Sequence, residues 1–244
     1  MLSWKRDVII HARDLHKKFG GVHALAGVSL EVGKGEIFGI IGPNGAGKTV
    51  LLNVLSGIYP PDSGEVYINF RRTDGLPSHK LSRMGVARTF QITRVFPNMT
   101  VKENMLTVVY SLFPNMPRDE RLKLVAEALK MTNLSEVEEL KAKALSGGQK
   151  KLLEFARLIA SKADVMLLDE PFAGVNPIII ARMTSILKEL AEKGKTILVV
   201  SHELGVISRL CNRVAVFDRG KKIAEGELRE LALLQEVKRA YLGA

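Results

Sequence analysis

Residues 42–49 read Gly42-Pro43-Asn44-Gly45-Ala46-Gly47-Lys48-Thr49, and no other stretch restricts the fold as tightly. An apolar run, Ile37-Phe38-Gly39-Ile40-Ile41, precedes it, and Val50-Leu51-Leu52-Asn53-Val54-Leu55 follows with helical character. Strand, glycine loop and helix in that order supply the context that a G-x-x-x-x-G-K-[ST] loop needs. The glycines let the backbone turn tightly, so that successive N–H groups point inward at phosphate oxygens. The helix start adds free N–H groups and a positive dipole end. Lys48 supplies a point charge for β- and γ-phosphates, and Thr49 a hydroxyl for Mg²⁺. The expected phosphate-binding run extends from Gly42 through Val50.

The bulk properties leave room for that unit. With 244 residues the chain suits one packed domain carrying a sizeable insertion. No apolar stretch approaches the roughly 18 residues of a membrane span. The first residues lack the apolar core of a secretory signal. Cys211 is the only cysteine, which excludes an intramolecular disulfide and fits a reducing compartment. The net charge of +10 fits nucleic acid or an anionic membrane surface as a partner. However, Lys17-Lys18, Arg71-Arg72, Lys150-Lys151 and Lys221-Lys222 are scattered, with no interleaved aromatics for base stacking. A solvated basic surface is the expectation, with no nucleic-acid partner.

Strand-like runs fall at 8–12, 28–32, 37–41, 65–68, 165–168, 196–200 and 213–217, with a last pair flanking the turn at 218–221. The central runs are continuously apolar, as strands buried on both faces should be. Helical patterns alternate with the later ones, which predicts a parallel sheet wrapped by helices. The early strands lack intervening helices and read as an antiparallel β layer. From Val101 to about Ala160 only helical periodicity appears, as at 121–129 and 151–158. This predicts a helical subdomain inserted into the α/β core, broken near Pro114 and Pro117.

Further residues extend the phosphate chemistry. Asp169 and Glu170 end the apolar run Val165-Met166-Leu167-Leu168. From a strand end beside the loop, Asp169 can hold Mg²⁺ directly or through water. Glu170 can polarise an attacking water as a general base. His202 follows the strand ending at Val200 and can donate to a γ-phosphate oxygen. Gln91 can reach Mg²⁺ or the water through its amide oxygen. Leu145-Ser146-Gly147-Gly148-Gln149 opens a helix, with Ser146 as its N-cap and the glycines exposing backbone N–H groups to an anion. One γ-phosphate can use both helix starts if a second copy of the fold supplies the second.

On these motifs the chain resembles the nucleotide-binding subunit of ATP-binding cassette (ABC) transporters over essentially its full length. The phosphate loop, the Leu145 to Gln149 signature and Leu168-Asp169-Glu170-Pro171 occur in that family's order and spacing. The resemblance implies an α/β fold, a P-loop NTPase (RecA-like) core with an antiparallel β subdomain and a helical subdomain. It implies one ABC ATPase domain over 1–244, with 1–90 and 162–244 as core and about 91–161 as the helical part. ATP and Mg²⁺ are the implied ligands, with ATP hydrolysis powering transport. Phe19 matches the aromatic that stacks on adenine, and Gln91 the glutamine that senses Mg²⁺ and the membrane partner. Ser146, Gly147, Gly148 and Gln149 match the signature that reaches a partner's γ-phosphate. Glu170 matches the catalytic glutamate and His202 the switch histidine.

The runs 88–91, 99–104 and 173–177, with the ending Ala240-Tyr241-Leu242-Gly243, look like the branched-chain amino-acid uptake group. Asn176 stands where many family members carry aspartate, and segment 111–118 is short for that group. The implied partners are a second ABC ATPase subunit (the same chain or a paralogue), integral membrane permeases and, indirectly, an external solute-binding protein. The implied location is the cytoplasmic face of the membrane, with Phe96 and Pro97 as candidates for the groove that receives a permease helix. Two other readings stay open: another cargo, such as a urea-like amide or an exported lipid, and a soluble cassette acting on DNA or ribosomes. The latter kind usually carries long coiled-coil insertions or two cassettes, and this chain has neither.

Overall fold

A computed structural model describes residues 7–89 and 94–242. The core is a six-stranded sheet built from β3 (Ile37–Ile41), β6 (Val86–Arg88), β7 (Val165–Asp169), β8 (Thr196–Val200), β9 (Arg213–Asp218) and β10 (Lys221–Gly226), in the order β10-β9-β3-β8-β7-β6. All pairings among β9, β3, β8, β7 and β6 are parallel, and β10 closes the edge antiparallel to β9. Arg219 and Gly220 both take positive φ, 45° and 79°, which matches the two-residue turn of the β9–β10 hairpin.

The continuous apolar strands have a direct physical reason. Side chains alternate between faces along a strand, and here both faces are covered. Phe38, Ile40, Leu167, Leu198, Val200 and Phe217 face one buried cluster. Their neighbours Ile37, Ile41, Met166, Leu168, Ile197, Val199 and Val216 face another. The first cluster is closed by α1 (Lys48–Leu55) and by a four-stranded antiparallel sheet. That sheet comprises β1 (Val8–Phe19), β2 (Val22–Gly33), β4 (Ser63–Ile68) and β5 (Arg71–Arg72), in the order β2-β1-β4-β5.

The opposite face carries α6 (Pro177–Glu192) and α7 (Leu204–Leu210), with Met183, Leu187 and Ile207 inside the second cluster. The same cluster extends into α3 (Val101–Leu112), α4 (Arg118–Met131) and α5 (Gly147–Ala160). Thr100 and Glu103 form a reciprocal capping box that starts α3. Pro117 immediately precedes α4, so the Pro114/Pro117 break falls between two helices. Between α4 and α5 the described backbone makes only two short 3₁₀ turns. No helix among the described residues is long and apolar enough to cross a membrane.

Several elements exceed the expectation from sequence. β1 and β2 run 12 residues each, more than twice the apolar runs that announced them. Their pairing contains register shifts, at which charged residues such as Arg13 and Asp14 interrupt the apolar pattern. Strand β6, α2 (Ser78–Arg83), α8 (Leu228–Leu231) and α9 (Gln235–Leu242) add to the predicted set.

Candidate nucleotide site

The glycine loop joins the end of β3 to the start of α1. Gly42, Gly45 and Gly47 take φ of 148°, 78° and 100°. A Cβ at Gly42 would lie 2.2 Å from the Phe217 carbonyl oxygen, and one at Gly47 2.3 Å from that of Ala24. The loop is therefore threaded between the sheet's β9 and the antiparallel layer, where only glycine fits. Ala46 is buried and its carbonyl accepts the Gly220 N–H at 3.1 Å, while Asn44 and Gly45 are exposed at the loop's crest. Pro43 and Val50 are half-buried on either side.

Lys48 is buried and folds back, donating from Nζ to the carbonyls of Gly42 at 2.6 Å and Pro43 at 2.9 Å. Burial pulls its pKa below the ordinary lysine value, against the nearby charges of Glu170 and Asp169. The α9 helix brings Tyr241 to the Gly42 backbone. Burial pushes the Tyr241 hydroxyl up to about 12, opposed by a hydrogen bond from the Gly42 backbone.

Strand β7 runs parallel to β8, which pairs in turn with β3, so their C-terminal ends meet at one edge. This is the crevice where ligands of open α/β sheets sit. There the Thr49 hydroxyl donates to Asp169 Oδ1 at 3.2 Å across 120 residues of sequence. Arg88 NH2 donates to Asp169 Oδ2 at 3.0 Å. Thr89 Oγ1 accepts the Asp169 N–H at 3.3 Å. Glu170 takes φ 48°, an uncommon conformation for a glutamate, and its N–H donates to the Val200 carbonyl at 2.9 Å. Its Oε2 lies 2.9 Å from His202 Nδ1 and accepts the His202 N–H at 3.3 Å. Lys48, Thr49, Asp169, Glu170 and His202 are thus brought together at one sheet edge.

Other expected residues sit elsewhere. Phe19 is exposed at the end of β1, edge-on to Tyr59 with ring centroids 5.2 Å apart. Ser146 caps α5, accepting the Gln149 N–H at 3.2 Å while Gln149 Oε1 accepts the Ser146 N–H at 2.9 Å. Ser146 and Gly147 are exposed, and Gly148 packs against α6, where an added Cβ would meet Ile179 Cδ1 at 2.3 Å. Asn176 caps α6 by accepting the Ile179 N–H at 3.0 Å. Gln91 lies outside the described residues. Arg88, Asn53 and Ser56, which carry no nucleotide motif of their own, also join this edge: Arg88 NH1 donates to Asn53 Oδ1 and Ser56 Oγ. A lone arginine ending a short strand three residues before Gln91 was the available signal.

Phosphate loop, carboxylate pair and parallel sheet define a P-loop nucleotide hydrolase. The family profile described as ABC transporter matches residues 25–173. The "Probable branched-chain amino acid transport ATP-binding protein LivG" of Archaeoglobus fulgidus is 36% identical, covering 97% of this chain and 96% of that protein. The ADP conformation of MJ1267, an ATP-binding cassette of an ABC transporter, superposes with a TM-score of 0.88 at 33% identity, covering 97% of this chain and 99% of that one. The cassette MJ0796, solved as a dimer in a post-hydrolysis state with ADP and Pi, gives 0.82 at 30% identity, covering 91% and 99%. The chain belongs to the ABC transporter family and is its ATP-binding, ATP-hydrolysing component.

Proposed function

We propose that this cassette powers uptake of branched-chain amino acids through separate membrane permeases, working as a pair of cassettes at the cytoplasmic face. The observation that carries the nucleotide chemistry is the meeting of Thr49 with Asp169 and of Glu170 with His202 at one sheet edge. Thr49 Oγ1 and Asp169 Oδ1 are hard oxygen donors at the mouth of a phosphate loop, the donor chemistry that Mg²⁺ favours beside phosphates. Those two residues, with Gln91, would hold the ion; when bound it neutralises charge building on the β- and γ-phosphates. Lys48 Nζ leaves its carbonyl partners to meet the same phosphates, and the loop N–H groups from Gly45 through Val50 orient them. Glu170 accepts the proton of the attacking water, and His202 fixes Glu170 and donates to the γ-phosphate. Phe19 stacks on the adenine.

The exposed Ser146–Gly147 helix start suits a phosphate presented by another copy, as the dimeric relative suggests. The γ-phosphate then bridges two subunits, and its loss on hydrolysis favours opening. Within one domain over 1–244, the helical part at about 91–161 carries the signature toward and away from the partner. A cleft of about 880 Å³ between α2, β6, α3 and α5, walled in part by Arg88, Phe96 and Arg157, is the proposed permease seat. Pro97 contributes a carbonyl that accepts the Lys143 N–H at 2.9 Å.

The amino-acid cargo rests on the relative's name. Affinity capture of the tagged chain from detergent-solubilised membranes tests it, with every component identified by mass spectrometry. Two multi-span permeases and a related cassette are expected, with ATPase activity raised by a binding protein loaded with leucine, isoleucine or valine. Capture of lipid-assembly subunits, or stimulation only by urea-like amides, would overturn the cargo. Calorimetry tests the nucleotide site: Lys48→Ala should weaken ATP binding at least ~10-fold and abolish turnover.

A further inference from the structure

Arg88 ends β6 and sends its guanidinium into the interior, where its side chain is 6% exposed and that of Asp169 3%. One terminal nitrogen donates to Asp169 Oδ2 at 3.0 Å. The other donates to Asn53 Oδ1 at 2.6 Å and to Ser56 Oγ at 2.9 Å. Asn53 lies in the last turn of α1, the helix whose first residues are Lys48 and Thr49, and Ser56 is its C-cap. A single planar group therefore ties the far end of the phosphate-loop helix to the carboxylate that ends β7.

A buried ion pair contributes little net stability, because desolvation offsets the attraction. Its consequence here is geometric. Asp169 has two oxygens: Oδ1 accepts the Thr49 hydroxyl and Oδ2 accepts Arg88. Rotation of the carboxylate would break both bonds, so Oδ1 is the oxygen held on the Thr49 side. The backbone bond from Asp169 to Thr89 Oγ1 adds a second clasp from the same strand end. The arginine fork has donors enough to hold three acceptors at fixed angles; a lysine ammonium is a point charge on a flexible stem.

We infer that Arg88 is a positioning residue for the magnesium site, holding Asp169 so that one oxygen faces Thr49 and linking that orientation to the phosphate-loop helix. The inference rests on the reading that Thr49 and Asp169 receive the ion. Arg88→Met removes the guanidinium and keeps an unbranched chain; Arg88→Lys keeps the charge without the fork. For each, the affinity of a non-hydrolysable ATP analogue is measured by calorimetry in EDTA and again in Mg²⁺.

In EDTA, Arg88→Met should bind within about 2-fold of the wild type. The gain in affinity conferred by Mg²⁺ should shrink by ~10- to 100-fold, the range seen when a partner of a metal ligand is removed. Arg88→Lys should fall between the two. An unchanged Mg²⁺ gain in a variant with a wild-type melting profile would overturn the inference. So would an affinity loss equal in EDTA and Mg²⁺, which marks a merely structural role. Should Arg88→Met fail to fold, Arg88→Lys and Ser56→Ala decide: a reduced Mg²⁺ gain in Arg88→Lys, with a smaller reduction in Ser56→Ala, supports it, and wild-type gains in both overturn it. A wild-type chain whose nucleotide affinity ignored Mg²⁺ would overturn the magnesium reading first, and the role of Arg88 with it.

Discussion

His202 Nδ1 lies 2.9 Å from Glu170 Oε2, and the His202 backbone N–H donates to the same oxygen at 3.3 Å. One carboxylate oxygen is thus held twice by a single residue from the neighbouring strand's end. The other oxygen makes no hydrogen bond to a described residue. The His202 Nε2 lies on the far side of the ring, 3.8 Å from Glu203 Oε1. Glu170 also sits at φ 48°, a backbone setting that costs a non-glycine residue on the order of 1–2 kcal/mol. Strain of that kind is retained where a side chain must be aimed.

Replacing Glu170 with glutamine keeps the size and the hydrogen-bonding oxygen but removes the base. Glu170→Gln should lower ATP turnover by about 10²-fold or more while leaving ATP binding intact. If the γ-phosphate bridges two cassettes, the variant should also accumulate as an ATP-dependent dimer in size-exclusion chromatography. Steady-state hydrolysis at the wild-type rate would remove Glu170 from the chemistry. Loss of turnover without an ATP-dependent dimer would instead count against the bridging phosphate.

What could be read from the sequence was whatever has a local signature. Ile37 to Ile41 and Thr196 to Val200 announce strands covered on both faces because every residue in them is buried. The loop at Gly42 to Thr49 announces itself because its backbone geometry needs glycine at fixed offsets. Strand β6 does not: it has three residues, and one is Arg88, which pairs with Asp169, 81 positions later. No periodicity encodes that pairing; topology creates it by laying β6 beside β7. The apolar runs at 8–12 and 28–32 cover only part of β1 and β2 for a related reason. Their irregular register lets polar side chains appear where alternation should put apolar ones.

Cys211 gives a test of the core's integrity. It is buried, and a Cβ added at Gly39 would lie 3.3 Å from its Sγ. Burial pushes its thiol from 9.0 up to about 12, with a smaller contribution from the charge of Glu36. The folded protein therefore keeps this proton at pH values where the unfolded chain has lost it. The stabilisation is complete below about 9 and is lost as pH rises toward 12. A thiol-disulfide reagent at pH 8 should label native protein on the order of 10²-fold more slowly than protein in denaturant. Equal labelling rates would show that the sheet opens far more readily than its packing implies.

The glycines of the phosphate loop offer a comparison in which backbone strain and steric exclusion separate. Gly45 and Gly47 both hold positive φ, at 78° and 100°. Around Gly45, however, an added Cβ meets nothing within 4 Å, whereas at Gly47 it meets the Ala24 carbonyl oxygen at 2.3 Å. Gly45→Ala should therefore bear only the conformational cost, about 1 kcal/mol by urea denaturation. Gly47→Ala must also push β2 away from the loop, and should lose roughly 2–4 kcal/mol. Since Ala24 lies in the antiparallel layer and Lys48 follows directly, that displacement would move the lysine as well. Nucleotide affinity should then fall along with stability in Gly47→Ala. Equal losses in the two variants would mean that the contact with Ala24 does not set the loop's shape, and that left-handed backbone geometry alone does.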